Sequence, residues 1–280
     1  MRSPPKVYII AEAGVNHNGD VDLAISLIDA AHNAGADAVK FQTFIPEKLV
    51  TRSAPTARYQ KDNTSETNQY QLLRKLTLPL PAYKTLKQHC DSVGIEFLTT
   101  PFDSTSFDSV LPLIGAIKVS SGDATNIPLL RKMAKSGKPI ILSTGMCTED
   151  EIVFAVTEIQ NVQSETSLIP HHRVPPLTVL HCTTDYPCPY SDVHLRMMQQ
   201  LMKQCPCAIG YSDHTLGIEI PIAAVALGAT IIEKHFTLDT TMEGPDHIAS
   251  LKPSALTAMV AAIRHIESAM GSAPKEMSER

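Results

Sequence analysis

Short runs of apolar, often β-branched residues alternate along the chain with longer segments whose apolar residues recur every three or four positions. The short runs predict buried strands and the longer segments predict amphipathic helices, so their alternation predicts parallel strands joined by helical crossovers. The predicted strands are 7–15, 38–43, 96–102, 116–121, 139–145, 178–184, 208–212 and 229–236. The predicted helices are 22–34, 82–93, 105–113, 128–135, 149–159, 194–203, 218–227 and 254–270.

Eight strand–helix units in 280 residues predict a (β/α)8 TIM barrel, a single catalytic domain spanning 1–280. An open, doubly wound sheet is the alternative. The barrel is favoured because the first strand begins almost at the N-terminus and the eight strand–helix repeats are the number that closes a barrel. The long connection 45–76 is expected at the C-terminal face of the barrel, where active-site loops lie. The other long connection, 163–176, is expected at the opposite face, with His171 and His172 as surface residues.

Composition narrows the class of protein. Hydrophobic residues make up 43% of the chain and charged residues 19%, which excludes a disordered chain. A net charge of −5 gives no electrostatic basis for binding nucleic acid or an anionic membrane. No apolar run approaches the roughly 18 residues that span a bilayer. The six cysteines lack zinc-site spacing and are expected as reduced thiols, so we expect a cytoplasmic enzyme or binding protein.

Polar residues occur at the predicted carboxyl ends of all eight strands, although the strands begin with apolar residues. In a barrel these ends converge on one mouth, so the pattern predicts a charged, hydrogen-bonding pocket. The residues are Glu12, Asn16, His17, Asn18, Lys40, Gln42, Thr99, Thr100, Lys118, Ser120, Ser121, Asp123, Ser143, Thr144, His181, Thr184, Tyr186, Ser212, Asp213, His214, Glu233, Lys234 and His235.

Two lysines of this set, Lys40 and Lys118, are predicted to face the pocket. Burying two ammonium groups without counter-charge is costly, so they predict a bound phosphate or carboxylate. Hydroxyl donors for such an anion are available at Ser120, Ser121, Ser143 and Ser212. The alternative is that the lysines pair with carboxylates of the chain, such as Glu12 and Asp123.

Two histidines, His214 and His235, end the predicted seventh and eighth strands. Neighbouring strands lie about 4.8 Å apart, so the two imidazoles can bind one divalent ion, with Asp213 and Glu233 as flanking carboxylates. The alternative for each histidine is an ordinary buried residue. After the eighth strand, Asp246 either brings a further carboxylate over the mouth or belongs to a plain turn.

Seven segments, in order along the chain, together closely resemble the sialic acid synthase family, which includes N-acetylneuraminate and legionaminic acid synthases. They are EAGVNHNG (12–19), VKFQT (39–43), TPFD (100–103), STGM (143–146), YSDHT (211–215), EKHFT (233–237) and GPDH (244–247). The resemblance implies a TIM barrel that condenses phosphoenolpyruvate with an open-chain N-acylated mannosamine-type sugar. It further implies release of phosphate and a divalent metal, Mn²⁺ or Mg²⁺.

The resemblance also implies roles for individual residues. It places metal ligands at His214 and His235. It places phosphoenolpyruvate contacts at Lys40, Thr100, Lys118, Ser121, Ser143 and Ser212, and sugar-side or catalytic groups at Glu12, Gln42, Tyr186 and Asp246. Asp123 and Thr184 are further expected substrate contacts that depart from the family pattern, in which Glu is common at 123 and some members have Asn at 184. The shorter carboxylate at 123 is expected to shift the sugar or admit a water.

Three alternatives remain open at this point. Residues 182–187, CTTDYP, look more like legionaminic acid synthases, which act on a 2,4-diacetamido-trideoxy sugar. A phosphoenolpyruvate synthase that takes an aldose phosphate would need further cations at the mouth, where few are evident. Family members usually carry a C-terminal antifreeze-like domain that covers the partner subunit's active site. That domain is expected to be absent here, which leaves a homodimer as a weaker expectation and a non-catalytic binding subunit as the third alternative.

Overall fold

The computed structural model describes residues 6–271, which form a ring of eight strands surrounded by helices. The strands are β1 (Tyr8–Gly14), β2 (Ala38–Thr43), β3 (Glu96–Pro101), β4 (Ile117–Val119), β5 (Ile140–Ser143), β6 (Leu177–His181), β7 (Ala208–Asp213) and β8 (Ile231–His235). The helices are α1 (Val21–Asn33), α2 (Pro46–Leu49), α3 (Arg58–Asn63), α4 (Gln69–Leu76), α5 (Leu80–Val93), α6 (Ser104–Val110), α7 (Ile127–Ala134), α8 (Glu149–Ser164), α9 (Arg196–Gln204), α10 (Glu219–Ala226) and α11 (Pro253–Met270).

The strands form a nearly closed parallel barrel, as predicted. Their order is β3-β2-β1-β8-β7-β6-β5-β4, and within residues 6–271 no ladder joins β3 to β4. The first strand pairs with the last, with Tyr8 opposite Ile231 and Glu12 opposite His235. An open doubly wound sheet would keep its first and last strands apart, so that alternative is wrong.

Side chains alternate between the barrel interior and the helix layer, as the pleat of a strand requires, with one irregularity in the pairing of β1 with β2 between Glu12 and Gly14. Tyr8, Ile10, Ala38, Leu98, Ala116, Ile141, Leu180 and Ile231 belong to one buried interior cluster. The intervening residues, such as Ile9, Val39 and Ile232, pack against the helices in the main core. Continuing inward positions toward the carboxyl ends gives Glu12 on β1 and Lys40 on β2. The apolar residues in the interior determine which side of each strand faces inward. The polar residues that continue the same two-residue spacing therefore face the mouth.

The connection predicted over 45–76 contains three short helices, α2, α3 and α4, with their own small apolar cluster. That cluster is formed by Val15, Phe44, Leu72, Leu73 and Leu76. The connection lies at the C-terminal face, as predicted, since Asn63 and Ser65 contact the loop after β8. Its apolar residues are too few and too closely broken by polar ones for a 3.6-residue period to be recognised over one long segment.

At the opposite face, the prediction that His171 is a surface residue is wrong. Its side chain is 7% exposed, and its Nε2 lies 2.7 Å from Oε1 of Glu96. The carboxylate at the start of β3 needs a partner there, and the loop before β6 supplies it. His172 is exposed as predicted, and its ring stacks on His171 at 4.6 Å.

Two further predictions concern the chain as a whole. The six cysteines are all unpaired thiols, as expected. Among residues 6–271, no helix combines the length and the apolar character needed to cross a bilayer.

Candidate active site

A polar cavity opens at the carboxyl ends of the strands. Thirteen of the residues predicted at the mouth line it: Glu12, Lys40, Gln42, Thr100, Lys118, Ser120, Ser121, Ser143, Tyr186, Ser212, His214, Glu233 and His235. Two others complete the lining: Phe102 and Cys182. The structure thus brings most of the predicted set together in one place.

Lys40 is the most strongly paired cation of the cavity. Its Nζ lies 2.7 Å from Oε2 of Glu12 and 3.7 Å from Oε2 of Glu233, and it donates to the Thr100 hydroxyl at 3.0 Å. Burial lowers the pKa of Lys40, but the two carboxylates outweigh it and the net direction is upward. The ammonium group is therefore charged at neutral pH.

Lys118 has weaker partners in the same cavity. Its Nζ donates to the Ser143 hydroxyl at 2.7 Å and to the Val119 carbonyl at 3.1 Å, and it lies 3.5 Å from Oε1 of Glu233. Burial lowers its pKa, and the nearby Glu233 carboxylate opposes that shift without reversing it. An anionic substrate next to Lys118, in addition to Glu233, would offset the cost of burying the ammonium group. Lys118 is therefore the cation best placed to bind such a substrate.

Glu233 lies between the two lysines. It accepts a hydrogen bond from the Ser212 hydroxyl at 3.0 Å, and although burial raises its pKa, Lys118 and Lys40 pull it below the ordinary value. Pairing of the lysines with chain carboxylates is thus observed for Glu12 and Glu233. It does not involve Asp123. Glu233 also interacts electrostatically with His214, so it contacts the two lysines and still flanks the histidine pair.

Glu12 is a buried carboxyl with a pKa raised to about 7. Desolvation is the main cause, Lys40 opposes it, and Glu233 adds to it. Gln42 donates to Oε1 at 3.4 Å. The backbone turns away after it at Gly14, whose φ is +54°; a Cβ there would lie 3.2 Å from Oε1 of Glu12 and 3.5 Å from Cε1 of His235. A group that titrates near neutrality is suited to proton transfer.

The two predicted histidines lie side by side, with ring centroids 5.5 Å apart. Nδ1 of His214 donates to the Thr183 carbonyl at 2.6 Å, which leaves the Nε2 lone pair available. Nδ1 of His235 is buried without a hydrogen-bond partner. Burial lowers the pKa of both rings, so both are neutral, as metal ligands must be. Tyr186 packs against both, at 4.2 and 5.6 Å between centroids.

This pair fits a divalent cation by its chemistry: two neutral imidazoles, each with a free nitrogen, beside carboxyl groups. No set of three His, Cys, Asp or Glu arranged for a metal is found in the part of the chain that the structure describes. A cation held by the two rings would complete its coordination with oxygen atoms from substrate or water, which is the open arrangement of catalytic sites.

Asp213 does not flank the histidines, and that prediction is wrong. It lies on the helix side of β7, where its carboxylate forms a buried ion pair with Lys234 and accepts from the Tyr211 hydroxyl at 3.1 Å. The alternation along β7 turns Ser212 inward and Asp213 outward. The same alternation on β8 places the Lys234 side chain on the helix side of the strand, so Lys234, predicted at the mouth, does not face it.

Three of the residues with a predicted substrate or catalytic role lie outside the cavity lining: Asp123, Thr184 and Asp246. Asp123 accepts from Nδ2 of Asn126 at 3.1 Å, and burial raises its pKa. Thr184 is exposed at the rim, its hydroxyl 3.2 Å from that of Ser121. Asp246 is buried next to the cavity, with Oδ2 4.0 Å from Nδ1 of His235, and burial raises its pKa to about 6. Their contacts with substrate stay predictions.

Phe102 and Cys182 are the lining residues that sequence reasoning missed. Cys182 follows the inward-facing Leu180 by two residues, so the alternation could have found it. Burial raises the pKa of its thiol to about 11, so it is an uncharged neighbour of Lys118. Phe102 continues the inward positions Leu98 and Thr100 at the same two-residue spacing and ends the predicted strand 96–102, so the alternation could have found it as well.

A family profile, curated relatives and a solved structure that resemble this chain agree with one another. The NeuB family profile matches residues 27–275. The chain is 47% identical over 98% of its length to N,N'-diacetyllegionaminic acid synthase of Campylobacter jejuni, of which it covers 80%. It is 44% identical over 97% of its length to the enzyme of the same name from Legionella pneumophila, of which it covers 75%. A solved structure of N-acetylneuraminic acid synthetase from Leptospira borgpetersenii, in complex with citrate, superimposes with a TM-score of 0.85 at 34% identity, covering 98% of this chain and 88% of that one.

Proposed function

The chain belongs to the NeuB family, and from that premise we propose that it condenses phosphoenolpyruvate with an N-acylated mannosamine-type sugar. The products are a sialic-type nonulosonic acid and phosphate. One observation carries the proposal: the buried cations Lys40 and Lys118 line the same cavity as the neutral pair His214 and His235. A doubly anionic substrate and a carbonyl substrate can therefore meet there.

Phosphoenolpyruvate presents a phosphate and a carboxylate, and we assign both to the lysine side of the cavity. Lys118 donates a hydrogen bond to the Ser143 hydroxyl at 2.7 Å, and Lys40 donates one to the Thr100 hydroxyl at 3.0 Å. Each ammonium group therefore lies next to a hydroxyl group that can also contact the anion. Ser121 and Ser212 add hydroxyl groups to the same lining. Charge-assisted hydrogen bonds of this kind are the strong ones for anion recognition.

We assign the divalent metal, Mn²⁺ or Mg²⁺, to His214 and His235. When bound, it supplies Lewis acidity to the aldehyde oxygen of the sugar. Thr183 fixes the tautomer of His214 through its carbonyl, as an outer contact of a metal ligand does.

The proton chemistry falls to Glu12 in this proposal. The new bond joins C3 of phosphoenolpyruvate to the aldehyde carbon, which leaves C2 electron-deficient, and water adds there. Glu12, next to Lys40, accepts one proton of this water, and the former aldehyde oxygen takes up one proton in exchange. The C2–O bond to phosphate then breaks with its electron pair going to the phosphate, and the C2 hydroxyl becomes the carbonyl as its proton passes to the departing phosphate. Asp246 and Tyr186 lie at the histidine side, where they orient the sugar.

Within the substrate class, we propose that the preferred sugar is a 2,4-diacetamido-trideoxymannose, so that the product is a legionaminic acid. Residues 182–187, CTTDYP, support this choice, and both relatives named above carry the corresponding activity in their names. This segment supplies Tyr186 and Thr184 to the edge of the cavity, where a sugar substituent would contact it.

The test is phosphate release from phosphoenolpyruvate in the presence of Mn²⁺ and one sugar at a time. The panel contains N-acetylmannosamine, its 6-phosphate, 2,4-diacetamido-trideoxymannose and an aldose phosphate. We expect turnover with the free N-acyl sugars, fastest with the diacetamido sugar, and loss of turnover on chelation. Turnover only with the aldose phosphate, or with no sugar in the panel, would overturn the proposal.

The metal assignment predicts that His235→Ala weakens Mn²⁺ binding by at least about tenfold, since loss of even an outer contact of a metal site costs that much. Calorimetric titration of the purified protein with Mn²⁺ measures it. His172→Ala is the matched control, because it removes an exposed imidazole at the opposite face. Equal Mn²⁺ affinity in both variants would contradict the assignment.

We also propose a cytoplasmic location, where the six unpaired thiols stay reduced. The homodimer expected from the resemblance stays a prediction.

A further inference from the structure

The loop that carries Asp246 is held in place by the loop after β1. Asn18 donates through Nδ2 to the Glu243 carbonyl at 3.1 Å, and its Oδ1 accepts from Nε2 of His247 at 3.2 Å. Nδ1 of His247 then accepts from the Thr237 hydroxyl at 2.7 Å. One asparagine side chain therefore bridges positions on both sides of Asp246.

A second asparagine of the same loop reaches the main chain of Asp246 itself. Asn16 donates through Nδ2 to the Phe236 carbonyl at 2.8 Å and to the Ser250 hydroxyl at 3.0 Å. The Ser250 hydroxyl in turn donates to the Asp246 carbonyl at 2.6 Å. Asn16 is 1% exposed, so this chain of hydrogen bonds does not compete with bulk water.

The packing around these contacts leaves little room for another arrangement. A Cβ added at Gly244 would lie 2.5 Å from Cδ2 of His247 and 3.1 Å from Oδ1 of Asn18. Asn18 has a φ of +51°, a left-handed conformation that asparagine accepts more readily than most residues. On the other side, Asn63 donates to the Pro245 carbonyl at 3.3 Å.

We propose that Asn16 and Asn18 are positioning residues that set the place of the Asp246 carboxylate beside His235. The inference rests on the proposed function. Neither asparagine lines the cavity, so any effect on turnover passes through the loop that they hold. A displacement of about 1 Å at a reacting group can lower a rate by about 10²-fold, so a loop held less firmly is costly.

A purely structural role would give a different result from a positioning role. Of the residues assigned to phosphoenolpyruvate, Lys118 on β4 and Ser143 on β5 lie across the ring from β8 and this loop, while Lys40 is the nearer one and acts on the Asp246 carboxylate electrostatically. Loosening the loop is therefore expected to change kcat and the KM for the sugar while leaving the KM for phosphoenolpyruvate as it is. General loss of folded protein would instead lower the active fraction and change neither KM.

The test begins with Asn18→Gly, which removes both side-chain contacts and tolerates the positive φ. We expect kcat to fall about 10- to 100-fold, with the KM for phosphoenolpyruvate unchanged. Asn18→Asp, which keeps the Oδ1 acceptor for His247, should recover part of the loss. Ser250→Ala, which breaks the second chain of contacts, should lower kcat in the same way. His194→Gly is the control, because His194 is the other non-glycine residue with positive φ among residues 6–271.

The decisive comparison combines Asn18→Gly with Asp246→Asn. If Asn18 acts through Asp246, the double variant is no slower than Asp246→Asn alone. Fully multiplicative losses, or an unchanged kcat in Asn18→Gly, would overturn the positioning role while leaving the proposed function intact. Lack of turnover by the unmodified protein with every sugar would overturn the proposed function and this inference with it.

Discussion

Replacing Lys118 by methionine raises the KM for phosphoenolpyruvate by about 30- to 4,000-fold. The substitution keeps most of the side-chain volume and removes the ammonium group that donates to Ser143 and lies 3.5 Å from Glu233. Removing one partner from a buried, hydrogen-bonded charge pair costs about 2–5 kcal/mol of binding, and each 1.4 kcal/mol is a factor of ten. Initial-rate kinetics with phosphoenolpyruvate varied at saturating sugar measure the change.

The KM for the sugar is expected to change little, since the direct partners of Lys118 are Ser143, Val119 and Glu233, none of which is assigned to the sugar. Lys84→Met makes the same chemical change at an exposed position of α5 and serves as the control. Thermal unfolding checks that the variant folds, which we expect because burial already lowers the pKa of Lys118 and thus disfavours its charge. An unchanged KM for phosphoenolpyruvate in a folded variant would refute the anion-binding role.

Lys118 is a sharper probe of this role than Lys40 because their surroundings differ. Lys40 lies between two carboxylates, and its pKa is raised. Its removal would leave Glu12 and Glu233 with one cation between them and would disturb the site even without substrate. Lys118 has a hydroxyl, a carbonyl and one carboxylate as partners. Its effect is therefore more closely confined to the anion that it binds.

The barrel and most of the cavity lining could be predicted from the sequence because both follow from local periodicity. Inward residues alternate along each strand, so Ile10 predicts Glu12 and Ile231 predicts Glu233 as facing the interior. The same rule, applied strictly, would have turned Asp213 and Lys234 outward. Local pattern therefore determines which way a side chain faces.

Pairing between strands could not be predicted in the same way. Glu233 reaches Lys40 on β2 and Lys118 on β4, residues more than a hundred positions away, and which of them it contacts depends on stagger around the ring. The contact of His171 with Glu96 is of the same kind. Asp246 poses a further difficulty, since its place is set by contacts with Asn16 and Asn18 through a loop without periodicity.

Replacing Glu12 by glutamine lowers kcat about 10²- to 10⁴-fold, the usual contribution of a general acid or base. Glutamine is nearly isosteric and can still accept from Gln42 and contact Lys40, so the change is confined to the loss of a titrating carboxyl. Removing the carboxylate also frees Lys40 for the anion, so the KM for phosphoenolpyruvate should fall or stay constant. Glu165→Gln, at an exposed position near the opposite face, is the control.

The pH dependence gives the more specific test of Glu12 as a base. A base must be ionised, and burial raises the pKa of Glu12 to about 7, so kcat/KM of the unmodified protein should rise with pH through about 7 and then level off. In Glu12→Gln this rise should disappear, and any remaining acidic limb should lie near the Asp246 pKa of about 6. If the variant keeps a rise centred near 7, the titrating group is another residue, and the proton of the attacking water does not go to Glu12. If activity instead falls as pH rises through 7, the group acts as an acid, because it is then the protonated form of Glu12 that supports turnover.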